Sequence, residues 1–288
     1  MANVLLSTKA VGSVVKLKVN GTAREFIVVH QGKPSSIYDN SCNGTWLLMK
    51  DVYESRVWHA SATNDYENSD IHTYLNSTFL KLFESNIRAA IKQVKIPYRK
   101  GSGSSKTVTS GTSGLAAKIF LLSATEVAFN YAQMPTDEGA TLSYFSGCAA
   151  AAADTKRVAK LSDTAHDWWL RSPSTYGSGY ANYVMTTGNY SRATTHTKRG
   201  VRPAMVLPTT LLVADDGTIS TNTTPTITST SGASGVNLGT KSAAFSWQYT
   251  VADADGDKLT VTEKLDGTTM KTRTGVASGT KLTFEYAS

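Results

Sequence analysis

The residue types with the clearest chemical meaning lie between Trp168 and Ala204. The middle of this segment, residues 174–197, contains little besides tyrosine, serine, threonine, asparagine and glycine. This composition is typical of antibody paratopes, because tyrosine gives wide amphipathic contacts and the small polar residues adapt their hydrogen bonds. We call residues 174–197 the polar window and predict that it binds a ligand. The predicted ligand-contacting residues are Tyr176, Tyr180, Asn182, Tyr183, Asn189, Tyr190, Arg192 and His196.

Two short motifs flank the polar window, WWLRSP before it and GVRPA after it. Trp168 and Trp169 could stack on sugar rings, but the adjacent Leu170 favours packing in the core. Arg171 and Arg202 are predicted to clamp backbone carbonyls or a carboxylate, because a planar guanidinium makes several hydrogen bonds at once. We therefore expect both tryptophans and both arginines to be structural anchors. For the charged residues inside the polar window, a merely solvated loop is the equal alternative.

The remaining reactive residue types are not spaced for catalysis or metal binding. Cys42 and Cys148 lie far apart and predict two free thiols rather than a zinc site. The histidines lack metalloprotease spacing, and the sequence contains no nucleophile-elbow motif. Asp253, Asp255 and Asp257 lack the glycine and glutamate of an EF-hand, so a plain turn is favoured over a calcium site. A serine–histidine–aspartate triad stays open, because its members meet only in space, but we expect no enzyme, cofactor or metal.

Composition predicts a folded protein of two units. The chain has 288 residues, 40% of them hydrophobic and 18% charged, which is enough for a sizeable core. The net charge of +7 is scattered, with its densest run at Lys95–Lys106, so we expect no nucleic-acid partner. No apolar run approaches the roughly 20 residues that span a bilayer, and no signal peptide is evident. We therefore expect no membrane insertion.

Hydrophobic spacing predicts the elements that position the polar window. An Asn20-Gly21 turn inside residues 16–29 predicts a type I′ hairpin. Apolar stripes predict helices over residues 69–82 and 85–94, and Ser123 and Glu126 form a capping box that predicts a helix through residue 132. Residues 101–114 predict a flexible loop. The alanine-rich stretch after Cys148 fits either a helix or a packed crossover.

Short apolar runs predict buried strands around the window. They lie at residues 119–122, 168–170, 181–185 and 201–207, the last broken at Pro203. If these strands pair, the tyrosine-rich stretches become loops and strand faces on one side of a sheet.

Composition changes after Thr221 and predicts a second unit. We expect a first domain over residues 1–215, a linker over 216–224, and a β-sandwich over 225–288 with strands at 243–251, 259–263, 269–274 and 282–286. About 65 residues is short for a sandwich of this kind. Its missing strands would lie beyond Ser288 or come from a neighbouring chain.

The WWLRSP and GVRPA motifs, with the segments at Asn68–Asn76 and Lys118–Val127, resemble an uncharacterised domain family of gut bacteria and their phages. The resemblance covers roughly residues 10–210. It implies an α+β, C-type-lectin-like fold of the formylglycine-generating-enzyme branch, which also includes variable receptor-binding proteins made by diversity-generating retroelements. In those proteins the diversified residues occupy the place of the polar window, although any polar loop has a similar composition. The calcium-binding triplets of true lectins and the copper-binding cysteine pair of the enzymes do not occur here.

Residues 253–268 resemble the front of an immunoglobulin-like module of phage and cell-surface proteins. Together the resemblances imply a phage tail, fibre or receptor-binding protein on the virion surface. Its expected partners are a host cell-surface glycan or protein and other virion proteins, with a homotrimer as the candidate assembly. The alternatives are a structural decoration protein without a receptor and an adhesin on the bacterial cell surface.

Overall fold

The structure, a computed structural model, describes residues 4–135, 137–221, 225–229, 243–253 and 256–286. It is β-rich, with 41% of residues in strands and 11% in helices. Two compact units cover Met1–Thr221 and Asn222–Ser288. The helical part of the predicted α+β class is therefore small. Residues 222–224 of the predicted linker and Asp255 of the acidic run lie outside the described residues.

The first unit contains two short α-helices and seventeen short strands among its described residues. The helices are α1 (Asp70–Ser77) and α2 (Ser85–Ala90). The strands are β1 (Val4–Leu5), β2 (Val14–Val19), β3 (Thr22–Gln31), β4 (Thr45–Met49), β5 (Glu54–Val57), β6 (Val94–Ile96), β7 (Leu115–Ala117), β8 (Ile119–Phe120), β9 (Lys160–Leu161), β10 (Thr164–Ala165), β11 (Trp168–Pro173), β12 (Tyr180–Val184), β13 (Tyr190–Thr194), β14 (Lys198–Val201), β15 (Ala204–Leu207), β16 (Leu212–Val213) and β17 (Ile219–Ser220).

One five-stranded sheet, in the order β2-β3-β4-β15-β8, carries much of the core. The predicted hairpin is confirmed: β2 pairs antiparallel with β3 around Asn20 and Gly21, whose φ angles are +50° and +73°. Both angles lie in the left-handed region that a type I′ turn requires. The strand β4 pairs with β3 on one side and β15 on the other, and all five of its residues are buried.

A second five-stranded sheet, in the order β13-β12-β11-β14-β5, holds the polar window. The predicted strand over residues 201–207 is corrected here, because β14 belongs to this sheet and β15 to the first one. Pro203 separates them, as expected for a residue that has no N–H to donate to a ladder. The two residues between these strands, Arg202 and Pro203, therefore connect the two sheets.

The helices are shorter than the sequence predicted. Ser69 caps α1 by accepting a hydrogen bond from the His72 N–H at 3.2 Å. The helix ends at Ser77, and the stripe continues as a 3₁₀ turn over Phe79–Leu82. The second helix ends at Ala90 rather than at residue 94, because the chain there becomes extended and enters β6, where alternate residues are buried.

The capping box forms but starts no helix, so the predicted helix through residue 132 is wrong. Ser123 and Glu126 exchange both capping hydrogen bonds, at 2.9 and 3.1 Å. The chain then turns away at Ala128, whose φ of +64° ends any helical run.

The other loop predictions also change in detail. The predicted strand over 119–122 shortens to β8. The 101–114 loop is anchored near its end, where the Tyr98 and Thr109 backbones exchange hydrogen bonds at 3.0 and 2.8 Å. The alanine-rich stretch after Cys148 forms turns and bends, not a helix.

The second unit contains one three-stranded and one two-stranded sheet among its described residues. Its small core consists of Tyr249, Val251, Leu259 and Val261. The runs predicted over 259–263, 269–274 and 282–286 lie inside longer strands, whereas the run predicted over 243–251 begins only at Phe245 and extends to Ala252. The strands are β18 (Thr226–Ser229), β19 (Phe245–Ala252), β20 (Leu259–Leu265), β21 (Thr268–Val276) and β22 (Thr280–Tyr286), in the orders β18-β19-β22 and β20-β21.

Gly200 gives a test of the close approach between β14 and the chain before β11. A Cβ at this position would lie 2.6 Å from the Asp167 carbonyl oxygen and 2.7 Å from Val52 Cγ1. We expect Gly200→Ala to lower the free energy of unfolding by about 1–3 kcal/mol, because the added methyl forces backbone to move. Denaturant titration followed by tryptophan fluorescence measures this. Gly177→Ala is the matched control, since its Cβ would meet only the Tyr180 ring at 3.5 Å; equal losses in both variants would contradict the argument.

Candidate functional site

The polar window is built on a hairpin of β12 and β13 at the edge of the second sheet. The two strands pair in a continuous antiparallel register, with Tyr180 opposite Thr194 and Asn182 opposite Arg192. Side chains alternate between the two faces of a strand, so these residues share one face and Tyr183 lies on the other. β13 has one neighbouring strand in this sheet, which leaves its outer side as the rim of the site.

Three predicted residues form an aromatic and cationic group beside this rim, in which Tyr176 and Arg192 are exposed and Tyr180 is half-buried. The Tyr176 side chain is 61% exposed. The Arg192 guanidinium carbon lies over the Tyr176 ring, 4.2 Å from its centroid. The Tyr180 ring meets Tyr176 edge-on, with centroids 5.3 Å apart. Arg192 is thereby held in place by a cation–π contact while it stays accessible to a partner.

The aromatic group extends along β13 onto the neighbouring segment. The Tyr190 ring stacks on Tyr131, with centroids 4.3 Å apart, and the Tyr131 hydroxyl donates to Asn189 Oδ1 at 3.1 Å. Burial raises the pKa of Tyr190, and the nearby Arg192 opposes that rise. We call this group the tyrosine–arginine row. Its members are Tyr131, Tyr190, Arg192, Tyr176 and Tyr180.

The remaining predicted contact residues divide by exposure. His196 is exposed in the turn between β13 and β14. Asn182 is fully buried and donates to the Pro173 carbonyl at 3.1 Å. Tyr183 is only 7% exposed, packs edge-on against Trp169 and lies under Arg199. The prediction that Asn182 and Tyr183 meet a ligand on an exposed face is therefore corrected, because the sheet's own packing covers both.

The predicted tryptophan anchors are core residues. Trp168 and Trp169 are fully buried. Their ring nitrogens donate to the backbone carbonyls of Arg157 at 2.9 Å and Arg56 at 3.0 Å. Core packing, rather than sugar stacking, is thus confirmed for this pair.

Arg171 lies at the centre of a fully buried polar network. Its guanidinium makes a bidentate ion pair with Glu126, at 2.6 and 2.7 Å, and donates to the Pro97 and Leu121 carbonyls. Burial disfavours the charge, but Glu126 raises the pKa of Arg171 above its ordinary value. Tyr38 adds a third hydrogen bond to the same carboxylate at 2.8 Å. These contacts match the predicted clamp.

Arg202 is the second clamp and is satisfied by backbone. It donates to the Met49 and Lys50 carbonyls, both at 2.9 Å, and lies over the Trp168 ring. Burial lowers the pKa of Arg202 to about 10. The residue thus ties the end of β4 to β11 next to Pro203.

Sequence reasoning missed a third arginine of this kind. Arg157 is fully buried, and its guanidinium lies 3.9 Å from the centroid of the Phe129 ring. No motif surrounds it, so nothing in the sequence distinguishes it from the solvated cations nearby. It donates to the backbone carbonyls of Val127, Ala128, Ala149, Ala152 and Gly188.

Asn64 was also missed, although it holds the polar window in place. Its side-chain amide nitrogen lies 3.0–3.2 Å from the Ser174, Gly177 and Tyr180 carbonyl oxygens. Its side-chain oxygen accepts from the Arg99 guanidinium at 2.7 Å and from the Gly103 N–H at 2.9 Å. One buried amide therefore joins the 174–180 loop to the 99–103 loop.

The described residues contain no group of histidine, cysteine and carboxylate side chains that could hold a metal ion. Both cysteines are free, and burial raises the pKa of Cys42 to about 12. No described helix has the length and apolar character needed to cross a membrane.

A family model described as a domain of unknown function, DUF6273, matches residues 43–209, more than half of the chain. The chain belongs to the DUF6273 family. The DUF6273 region contains Asn64, the Arg171–Glu126 pair, both flanking motifs and the whole tyrosine–arginine row, whereas Tyr38 lies before it. No curated protein and no solved structure matches the chain.

The Arg171–Glu126 pair should be a major determinant of the stability of the DUF6273 domain. We expect Arg171→Met to lower the free energy of unfolding by about 3–5 kcal/mol, because Glu126 is left charged and unpaired in the core. The double variant Arg171→Met with Glu126→Gln removes both charges and should lose less. Denaturant titration measures both, and a double variant less stable than the single one would contradict this account.

Asn64 should control the order of the polar window. We expect Asn64→Ala to speed amide hydrogen exchange in residues 174–180 by about tenfold or more, because several buried carbonyls lose their donor. Mass spectrometry of exchanged peptides measures this. Asn76→Ala is the matched control, since Asn76 holds the Lys118 and Ile119 backbone instead. Equal acceleration in both variants would show that Asn64 has no special role.

Proposed function

We propose that this protein is a phage virion surface protein, of the tail, fibre or receptor-binding type, which recognises a host cell-surface glycan or protein. The observation that supports this most is the tyrosine–arginine row on the rim of the second sheet. Tyrosine and arginine dominate the binding energy of many interfaces, because they bury large amphipathic surfaces and make several directed hydrogen bonds. The proposal assigns the protein a binding role and no catalysis.

The row suits recognition because it is fixed before a ligand arrives. Arg192 lies over Tyr176 at 4.2 Å, and Tyr190 stacks on Tyr131 at 4.3 Å. Side chains that already hold their bound geometry lose little conformational entropy on binding. Asn64 also holds the 174–180 loop, which carries Tyr176, through hydrogen bonds to the Ser174 and Gly177 carbonyls. The row is therefore a preorganised contact surface.

The proposal includes the finer family relationships. We propose a C-type-lectin-like fold of the formylglycine-generating-enzyme branch for the first unit and an immunoglobulin-like module for the second. If the polar window is diversified, the varied positions are the exposed ones, Tyr176, Arg192 and His196. Asn182 and Tyr183 stay constant, because a change there would disturb the packing of the sheet.

Substitution of the row tests the proposed function in the full chain. We expect Arg192→Ala and Tyr176→Ala each to weaken binding of the labelled protein to intact cells of a susceptible strain by about tenfold or more. Flow cytometry over a panel of bacterial strains measures the binding. Arg24→Ala is the matched control, because Arg24 also lies over a tyrosine ring, that of Tyr53 at 5.9 Å, outside the window. It should bind as the unchanged chain does.

Other outcomes identify the alternatives. Wild-type protein that binds no strain but co-purifies with phage particles through the row would overturn receptor binding in favour of a decoration role. Cell binding that survives both row substitutions would remove the row from the proposal. Antibodies raised against the chain separate a virion protein from an adhesin, because they label particles in the first case and bacterial cells in the second.

A further inference from the structure

A cleft of about 470 Å³ opens beside the tyrosine–arginine row. One wall contains lining residues between Thr125 and Pro135 together with Asp137, and the other contains Thr141, Ser146, Gly147, Cys148 and Ala150. The lining residues that the structure describes lie outside its α-helices and strands, and Arg157 holds both stretches through the Val127 and Ala149 carbonyls. Its volume lies within the range of about 300–1,000 Å³ that is typical of small-molecule sites.

The cleft and the row are parts of one surface. Tyr131 belongs to both, since it lines the cleft and stacks on Tyr190. Tyr190 covers one face of the Tyr131 ring and is not part of the cleft lining, so the other face or the edge borders the cleft. The Thr175 N–H donates to the Gln133 carbonyl at 2.9 Å, which joins the cleft wall to the loop that carries Tyr176.

We propose that this cleft binds a neutral sugar residue of a glycan, with an apolar side of the sugar ring against Tyr131. Thr125, Asn130, Thr141 and Ser146, which carry hydroxyl and amide side chains, line the same cleft as the tyrosine. Hydroxyl and amide groups both donate and accept hydrogen bonds, as the hydroxyls of a sugar do. The Thr141 hydroxyl donates to the Thr125 carbonyl at 3.3 Å, which leaves its oxygen to accept from a ligand. A sugar ring also presents C–H groups to an aromatic face, which makes a tyrosine next to hydroxyl side chains a fitting pair of contacts.

Charge and polarity of the lining favour a neutral sugar over an anionic or a wholly apolar ligand. Among the described lining residues there is one carboxylate, that of Asp137, and no lysine or arginine, so an anionic ligand gains no ion pair there. A wholly apolar ligand would leave the hydroxyl groups without partners. The Asp137 carboxylate can accept hydrogen bonds from two sugar hydroxyls.

This inference rests on the proposed function and names its ligand class. Arg192 and Tyr176 would contact the further residues of the same glycan chain, while the cleft takes one sugar. A protein receptor, whose peptide would enter the cleft instead, is an outcome of the test.

Cys148 provides a native reporter, because it lines the cleft and is partly exposed. Cys42 is fully buried and should not react. We expect one or more neutral methyl glycosides from a panel to slow alkylation of Cys148 in the full chain. The slowing should reach about tenfold when the glycoside is at roughly ten times its dissociation constant, because only the free protein reacts.

Variants separate binding in the cleft from indirect effects. Thr141→Val keeps the shape of an exposed side chain but removes its hydroxyl, and Tyr131→Ala removes the ring; both should abolish most of the protection. Tyr144→Ala should retain it, because Tyr144 is not part of the lining. Circular dichroism and denaturant titration show that the variants fold.

The results also distinguish this inference from the proposed function. The sugar assignment would be overturned if only acidic sugars or peptides protected Cys148, or if no glycoside did. Equal protection in the Thr141→Val and Tyr131→Ala variants and in the unchanged chain would also overturn it. If Arg192→Ala still removes cell binding in that case, only the ligand class is wrong. If glycosides protect Cys148 while Arg192→Ala leaves cell binding intact, the cleft stands and the row is not the host-binding surface.

Discussion

The buried ion pair between Arg171 and Glu126 is the interaction on which the first unit most depends. Two opposite charges with full burial are stable only when nearly every donor and acceptor is used. Here the pair is bidentate, and the carboxylate also accepts from the Tyr38 hydroxyl and the Ser123 N–H. The guanidinium meets backbone carbonyls on two further segments. This charge pair therefore holds β11 against the non-repetitive segment that contains Glu126.

This arrangement explains why the longest non-repetitive part of the unit can be well packed. Between β8 and β9 the chain makes few backbone ladders, so its carbonyl groups need other donors. Arg157 and Arg171 provide them with fixed, planar sets of N–H groups. Because side chains satisfy the backbone there, the outer surface of the segment is free to form the cleft and to carry Tyr131.

The elements predicted correctly from the sequence are those that depend on residues close together in the chain. The Asn20-Gly21 hairpin follows from two residues that accept positive φ, and the capping box follows from two side chains three residues apart. The capping box also predicted a helix, but the chain turns at Ala128 instead. The Glu126 carboxylate binds an arginine forty-five residues away, a contact that the local pattern does not show. Asn64 was invisible for the same reason: its partners lie far along the chain. Local patterns carry no information about such distant partners.

Within the polar window, the alternation of side chains along the strands predicts which residues share a face of the sheet. It does not predict which other side chains pack over that face. Tyr183 is hidden because Trp169 and Arg199 lie against it, whereas Tyr176 stays open because it sits in the loop before β12. The buried tyrosine is therefore constrained by packing, whereas the exposed one is not. A change at an exposed position costs little stability, since few contacts are lost there, while a change under the sheet removes packing that the edge strand needs. Recognition and folding can thus be altered separately, although both use the same residue type within twenty-four consecutive positions, 174–197.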